Sequence, residues 1–257
     1  MSLGRVFTIM ANVFREVIRD RILYLVGLYA LLMAMAVRLL PEVAAATETK
    51  ILLDLGLAAM QVIGLVITVF LGTGLVNKEI EKRTVLVMIA KPISRLEFIV
   101  GKHLGLSAVL AVLVAVMTVV FLAIAVLAKA AFVLPNILVS SFFLWLQLSL
   151  LTAVAIAFSV FTSSLLATLL TFGVFLMGSF SANLVALGVQ SKNPAIEAFT
   201  RNLYLVLPDL ARLDLKNQAV YGKLPATDML LGNAGYGLLY MVVLLMIASL
   251  IFSSRDF

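Results

Sequence analysis

Six stretches of this chain are long and apolar enough to cross a lipid bilayer, and no soluble fold can accommodate them. A spanning helix needs about 20 mostly apolar residues, because a rise of about 1.5 Å per residue must cover a hydrocarbon core roughly 30 Å thick. The stretches are Ile22–Leu40, which Pro41 ends; Leu57–Val76; Leu104–Leu127, with an apolar continuation to Leu134; Phe142–Phe161; Leu165–Gly188; and Tyr236–Phe252. Only Thr162, Ser163 and Ser164 separate the fourth from the fifth, so the two form a tight hairpin. The composition agrees: 63% of the 257 residues are hydrophobic and 12% are charged, against roughly 45–50% and about 25% in soluble domains. A soluble enzyme or binding module is thereby excluded, since its surface could not hide that much apolar area. The expectation is an all-α integral membrane protein forming a single transmembrane domain over residues 1–257.

The polar residues subdivide that domain. Leu3–Arg21 reads as an amphipathic helix rather than a signal peptide. Val6, Ile9, Met10, Val13 and Val17 recur at three- and four-residue steps, and Arg5, Asn12, Arg15, Glu16 and Arg19 fall largely opposite. Such a helix suits the membrane interface, just before the first span. Short-loop cations set the orientation. Arg5, Arg15, Arg19 and Arg21 share a side with Lys78, Lys82, Arg83, Lys91, Arg95 and Lys102, and with Arg255. The opposite side has eight cations, five of them in one long, acid-balanced loop. Both termini are therefore expected in the cytoplasm, with the protein in the cytoplasmic (inner) membrane. The net charge of +6 is explained by the same asymmetry. No basic run interleaves with stacking aromatics, so nucleic acid is not expected as a partner.

Two polar segments hold more than a connector needs. Residues 77–102 combine a charged piece (Asn77 to Arg83), an apolar piece (Val85 to Ala90) too short to span, and a break at Pro92. Ser94, with Glu97 three residues on, forms a capping box that starts a new helix into span three. Residues 189–235 hold an apolar run from Leu203 to Leu207, then Pro208. An amphipathic Leu210 to Leu215 follows and suggests a short interfacial helix.

The first segment resembles the first cytoplasmic loop of ABC-2 type transporter permeases. The matching residues are Glu79-x-Glu81-x-x-Thr84, Lys91-Pro92-Ile93-Ser94-Arg95-x-Glu97 and Gly101-Lys102. Arg83 departs from the pattern, standing where many of these permeases have glycine. Asn202-Leu203-Tyr204, Leu207-Pro208-Asp209-Leu210 and Leu213-Asp214-Leu215-Lys216 resemble the ABC-2 branch described as permeases for multicopper-enzyme maturation. The Arg15, Glu16, Arg19, Arg21 run fits that branch as well. The resemblance implies a type V ABC exporter-like subunit with six transmembrane helices. It also implies pairing with a second permease protomer and docking of two copies of a separate ABC ATPase. Glu79, Glu81, Lys82, Arg83 and Thr84, with Lys91, Pro92, Arg95 and Glu97, would be the docking set around a coupling helix at Glu79 to Ala90. Tyr204, Pro208, Asp209 and Asp214 would belong to an extracytoplasmic element that closes the outer mouth. A surface loop with no gating role fits the same residues.

The chain carries no groups for catalysis. It has no cysteine and one histidine, His103, which stands at a span boundary and reads as interfacial. Thiolate and multi-imidazole metal sites are thus excluded. There is no phosphate-cradling Gly-x-x-x-x-Gly-Lys-Ser/Thr loop, so ATP and magnesium would belong to the partner subunit and no cofactor to this one. Span centres hold no ionisable residues, against what an ion-coupled carrier needs. Gln61, Thr68, Thr118, Gln147, Ser149, Thr152, Ser159, Thr168, Thr171 and Ser179 are the neutral polar span residues, suited to interhelical hydrogen bonds. Gly72-x-Gly74 and Gly101-x-x-x-Gly105 permit close approach of spans two and three. The eleven methionines could offer soft ligands to Cu(I), but their scatter fits packing. A lining so poor in charge suggests either a lipidic or amphipathic cargo or a closed seam between protomers; the reading is a non-catalytic permease subunit exporting an unidentified substrate, and the alternative is a non-transporting membrane scaffold or assembly factor.

Overall fold

The computed structural model describes residues 2–19, 23–43, 47–81 and 94–254, and every regular element among them is helical. In chain order these are α1 (Leu3–Arg19), α2 (Leu23–Val43), α3 (Glu48–Glu81), α4 (Arg95–Leu127) and α5 (Leu134–Phe161). After them come α6 (Ser164–Ser179), α7 (Ser181–Gln190), α8 (Pro194–Val206), a 3-10 turn at Leu210–Leu213, α9 (Lys216–Val220) and α10 (Thr227–Ser254). Five of them, α2, α3, α4, α5 and α10, are long and apolar enough to cross a membrane. The fifth apolar stretch is not one straight span: α6 and α7 together meet the length test but bend by 72° at Phe180. Hydropathy could not show that break, because Leu165–Gly188 is apolar on both sides of it.

Helix α5 is the central post. Of its most apolar window 89% is buried, against 17% for α2 and 28% for α10. It packs on α3, α4 and α10, with two cores on its flanks. One holds Val13, Val17, Tyr29, Met33, Met60, Leu110, Met117 and Phe121. The other holds Leu65, Val69, Phe98, Leu150, Val154, Leu213, Met241 and Phe252. The outward faces remain apolar: Leu31, Met35, Val62, Phe70, Val119, Val242 and Leu250 are all exposed. Only lipid makes such a belt stable, since water would penalise each of these side chains.

Helix boundaries follow local chemistry. Ser94 caps α4: its hydroxyl accepts from the Glu97 amide at 3.2 Å, and its own amide donates to Glu97 Oε2 at 3.0 Å. The expected capping box is therefore present, and the helix it starts runs unbroken into span three. Leu127 ends α4, and Lys129 turns the chain with a left-handed φ of 55°. Pro135 sits in the first turn of α5, where its missing N–H costs nothing. Pro41 does not end α2, which runs two residues further; a proline in the last turn removes only one of the helix's hydrogen bonds.

The amphipathic N-terminal helix forms, but its valine face meets protein rather than lipid. Val6, Val13 and Val17 are buried against α4, where two glycines admit them. A Cβ on Gly101 would come 2.8 Å from Ile9 Cβ, and one on Gly105 2.6 Å from Val13 Cβ. The Gly101/Gly105 pair thus receives α1 and not span two, as its spacing had suggested. Gly72 faces Ala155 of α5.

Candidate functional site

Residues 82–93, the middle of the expected coupling segment, lie outside the described residues. Both of their attachment points are described. They form the elbow end of the bundle, where α3 stops and α4 begins. Three charged residues there are used inside the protein. Glu97 is buried, with Oε1 accepting from the Ser2 amide and Oε2 lying 3.9 Å from Arg5. It thereby ties the start of α1 to the start of α4. The Arg95 guanidinium donates to the Phe252 carbonyl and lies 5.8 Å over the Phe252 ring. A cation on the last carbonyls of α10 meets the negative end of that helix. Phe98 stacks on the same ring at 5.7 Å. The third, Glu79, pairs with the buried ammonium of Lys102, which also sits 5.5 Å over Phe98.

Asn77 completes the base. With its amide turned to match its neighbours, it donates to the carbonyls of Ser159 at 3.0 Å and Thr162 at 3.1 Å, and accepts from the Ser164 amide at 3.3 Å. One turn below, the Thr73 and Thr168 hydroxyls meet at 3.0 Å. The elbow end of α3 is thus bolted to the turn between α5 and α6.

Of the expected docking residues, Glu79, Arg95 and Glu97 therefore converge on this base. Glu81 is the last residue of α3, and its side chain, with Lys82, Arg83, Thr84, Lys91 and Pro92, lies outside the described residues. Sequence reasoning missed Lys102 as the partner of Glu79, Phe252 as that of Arg95, and Ser2 and Arg5 as those of Glu97. A buried charge demands a partner, but which one is a matter of tertiary contact.

His103 is not interfacial. It is buried between α4 and α5, with Nε2 3.0 Å from the Ser149 carbonyl. The Ser107 and Ser149 hydroxyls pair beside it, and the Trp145 indole donates to the Ser107 carbonyl at 2.9 Å. Thr118 reaches Ser141 across the same interface at 2.9 Å. The other polar span residues divide: Thr152, Ser159 and Thr171 bond carbonyls of their own helices.

The far end carries the second site. Here the expected interfacial helix at Leu210 to Leu215 is instead a short 3-10 turn driven into the bundle. Leu210, Leu213 and Leu215 are fully buried, and they join the core of α5 and α10. The bend after α6 makes room: Gly178 lies against the Pro208 carbonyl, where a Cβ would come within 2.5 Å. Gln147 donates to the Leu210 carbonyl at 3.2 Å. Gln61 donates to Gln147 at 3.2 Å and to Asp214 at 3.3 Å, and accepts from Lys216 Nζ at 3.2 Å. Gln61 and Gln147 lie four and five residues inside the apolar stretches that begin at Leu57 and Phe142, about 6–8 Å along the axis. Asp214 and Lys216 thus sit between the far ends of the spans, although no span contains them.

Tyr204, Pro208 and Asp209 form a separate cluster nearer the rim. Asp209 accepts from Ser181 at 2.7 Å, from Arg212 at 3.0 Å and from Tyr204 at 3.4 Å, while its amide donates to the Tyr236 hydroxyl at 2.8 Å. Arg212 also covers the Tyr236 ring at 5.1 Å. The far-end residues that the resemblance selected therefore serve two jobs. Asp209 and Tyr204 hold the rim, and Asp214 anchors the insertion.

Long apolar helices with a lipid-facing belt define a multi-pass membrane protein. A family model for ABC-2 family transporter proteins matches residues 7–257, and the chain belongs to that family. It is a membrane permease component of an ABC transporter; such components are generally non-catalytic and typically partner with an ABC ATPase. No curated protein matches the chain.

Proposed function

We propose that this chain is one of two identical permease protomers of an exporter, each with six spans in a type V exporter-like arrangement. The bent pair α6 and α7 makes the fifth span, and both termini face the cytoplasm. A separate ATPase subunit docks on the elbow, around Glu81, Lys82, Arg83 and Thr84, and brings its own ATP and magnesium. The observation that carries this reading is the bracing of the elbow. Its two ends are fastened to α1 through Glu97, to the turn between α5 and α6 through Asn77, and to α10 through Arg95. A push that reaches either end of the elbow is therefore passed to the base of the bundle. At the far end, the inserted 208–216 segment closes the path until that motion releases it. The Asn202-Leu203-Tyr204 and Leu207-Pro208-Asp209-Leu210 runs support placement in the branch of permeases for multicopper-enzyme maturation.

The test separates docking from transmission. Glu81→Lys and Arg83→Glu are expected to abolish co-purification of the ATPase with the intact permease. Lys102→Met is expected to keep co-purification and cut the permease-dependent change in ATP hydrolysis roughly tenfold, the equivalent of about 1.4 kcal/mol. That figure is modest because Glu79 is partly exposed and its charge partly screened. A permease that never retains an ATPase, and that tolerates both elbow reversals in cells, would be a scaffold instead.

A further inference from the structure

Arg38 is the one ionisable residue inside the six apolar stretches, two residues from the far end of its own. It stands on α2, the least covered of the five single spanning helices. One face of α2 does pack: Tyr29, Met33 and Ala36, at steps of four and three residues, are buried. The face roughly opposite repeats such steps along the whole helix, as Tyr24, Leu28, Leu31, Met35, Arg38 and Glu42. Nothing in the protomer covers it. Tyr24 is 73% exposed, Leu28 53%, Leu31 60% and Met35 54%, and Arg38 and Glu42 are exposed as well. Alternating steps of four and three are the seam spacing of two helices lying side by side. Among the described residues Arg38 has no ion partner, neither Glu42 one turn on nor Asp54 of α3. Within one helix, a cation four residues ahead of a carboxylate is the weaker order for a pair. Lipid suffices for the exposed faces of α4 and α10, which hold no charge within their apolar stretches. A charge set among apolar residues normally has a counter-charge instead.

We propose that two copies of this chain pair through α2, along a parallel seam of Tyr24, Leu28, Leu31 and Met35 that two reciprocal Arg38–Glu42 ion pairs close at the far end. Both copies enter the membrane in the same orientation, so a twofold axis along the membrane normal sets the two α2 helices parallel and level. Arg38 of each protomer then faces Glu42 of the partner subunit, and symmetry makes the contact twice. The seam is self-complementary: its apolar part meets the same apolar part, and its cation meets its own carboxylate. This inference rests on the reading of paired protomers and adds the surface and the two charges that make the pair.

The experiment uses the full chain in membranes, where the absence of native cysteine lets a single introduced one report contact between copies. Under mild oxidation Leu31→Cys is expected to form a disulfide-linked dimer, and Leu239→Cys, on the exposed face of α10, is not. In the Leu31→Cys background, Arg38→Glu and Glu42→Arg are each expected to cut the linked fraction by about tenfold, because each sets like charges across the seam. The double reversal Arg38→Glu/Glu42→Arg restores the pairing, and the linked fraction is expected to return to within about twofold of the starting value. That rescue also shows that the single variants insert and fold. Single reversals that leave the linked fraction unchanged would overturn the proposal and leave Arg38 to headgroup phosphates. So would a double reversal that fails to rescue, or linkage through Leu239→Cys as strong as through Leu31→Cys. Subunit counting by single-molecule photobleaching separates the failures. Two copies per particle without linkage at Leu31 would move the pairing to another face, whereas one copy per particle would sink the paired reading itself.

Discussion

Gly105→Leu is expected to lift α1 off the bundle and lower stability by about 3 kcal/mol or more, at or beyond the upper range for overpacking. The contact leaves no easy escape. A Cβ at position 105 would sit 2.6 Å from Val13 Cβ, 2.8 Å from Val13 Cγ1 and 3.0 Å from the Met10 carbonyl oxygen. A rotamer change at Val13 moves Cγ1 but neither its Cβ nor the Met10 backbone, so even Gly105→Ala forces the helix itself to move. Gly101 repeats the constraint one turn earlier, with Ile9 Cβ and Cγ2 both at 2.8 Å. Displacing α1 uncovers Val13 and Val17, which belong to the core of α2, α3 and α4, and withdraws Ser2 and Arg5 from Glu97. Two measurements check this: the unfolding midpoint in detergent, and the rate of trypsin cleavage at Arg15 and Arg19. The expected order is wild type, then Gly105→Ala, then Gly105→Leu, with faster cleavage at each step. An unchanged midpoint and cleavage rate in Gly105→Leu would show that α1 does not rest on α4 here.

Gly178→Leu is expected to unseat the inserted far-end segment. The obstructed atom is the Pro208 carbonyl oxygen, 2.5 Å from a Cβ at 178, with Leu210 Cγ and Cδ1 at 3.0 Å and 3.2 Å. That oxygen is backbone, so the segment must shift as a body and carry Leu210 and Leu213 out of the core. Because the protein has no cysteine, a single Leu213→Cys reports the change. Leu213 is fully buried, so its cysteine should react slowly with a membrane-impermeant maleimide. Adding Gly178→Leu is expected to speed the reaction at least tenfold. Gln147→Leu provides the scale. It removes the bond to the Leu210 carbonyl, and interhelical hydrogen bonds in membranes average about 0.6 kcal/mol, so an acceleration of about threefold is expected. Slow labelling in Gly178→Leu would rule out the glycine contact as what lets the segment seat.

The two ends differ in how far they could be read in advance. Ser94 and Glu97 announce the start of α4 because a capping box is local, with donor and acceptor three residues apart. The outward belt follows from hydropathy alone. Glu97 also accepts from Ser2, 95 residues away, and nothing in a three-residue motif signals that. His103 misled for the same reason. A lone imidazole at a span boundary suggests the interface, yet α4 turns it toward the Ser149 carbonyl of α5. The bend at Phe180 was hidden by apolar residues on both sides. Pro41 was expected to break a helix, but a proline so near a helix end breaks almost nothing. At the far end, Leu210, Leu213 and Leu215 show an amphipathic spacing that suits a membrane surface as well as a protein interior. Only the space left by the bend after α6 sends them inward.

Residue order alone fixes the class: apolar stretches of span length, a charged elbow between the second and third of them, and an N-terminal helix with one valine face. These properties are written along the chain, in residue spacing and hydropathy, and they survive without knowing what touches what. The tertiary structure decided which surfaces meet. It set α1 on the two glycines of α4, gave Glu79 to Lys102 and Arg95 to the end of α10, and sank Asp214 and Lys216 to the level of Gln61 and Gln147. Those outcomes depend on steric fit and on pairing buried charges between residues far apart in the chain. Many partners satisfy a valine stripe or a lone carboxylate equally well in one dimension, and only packing in three selects among them.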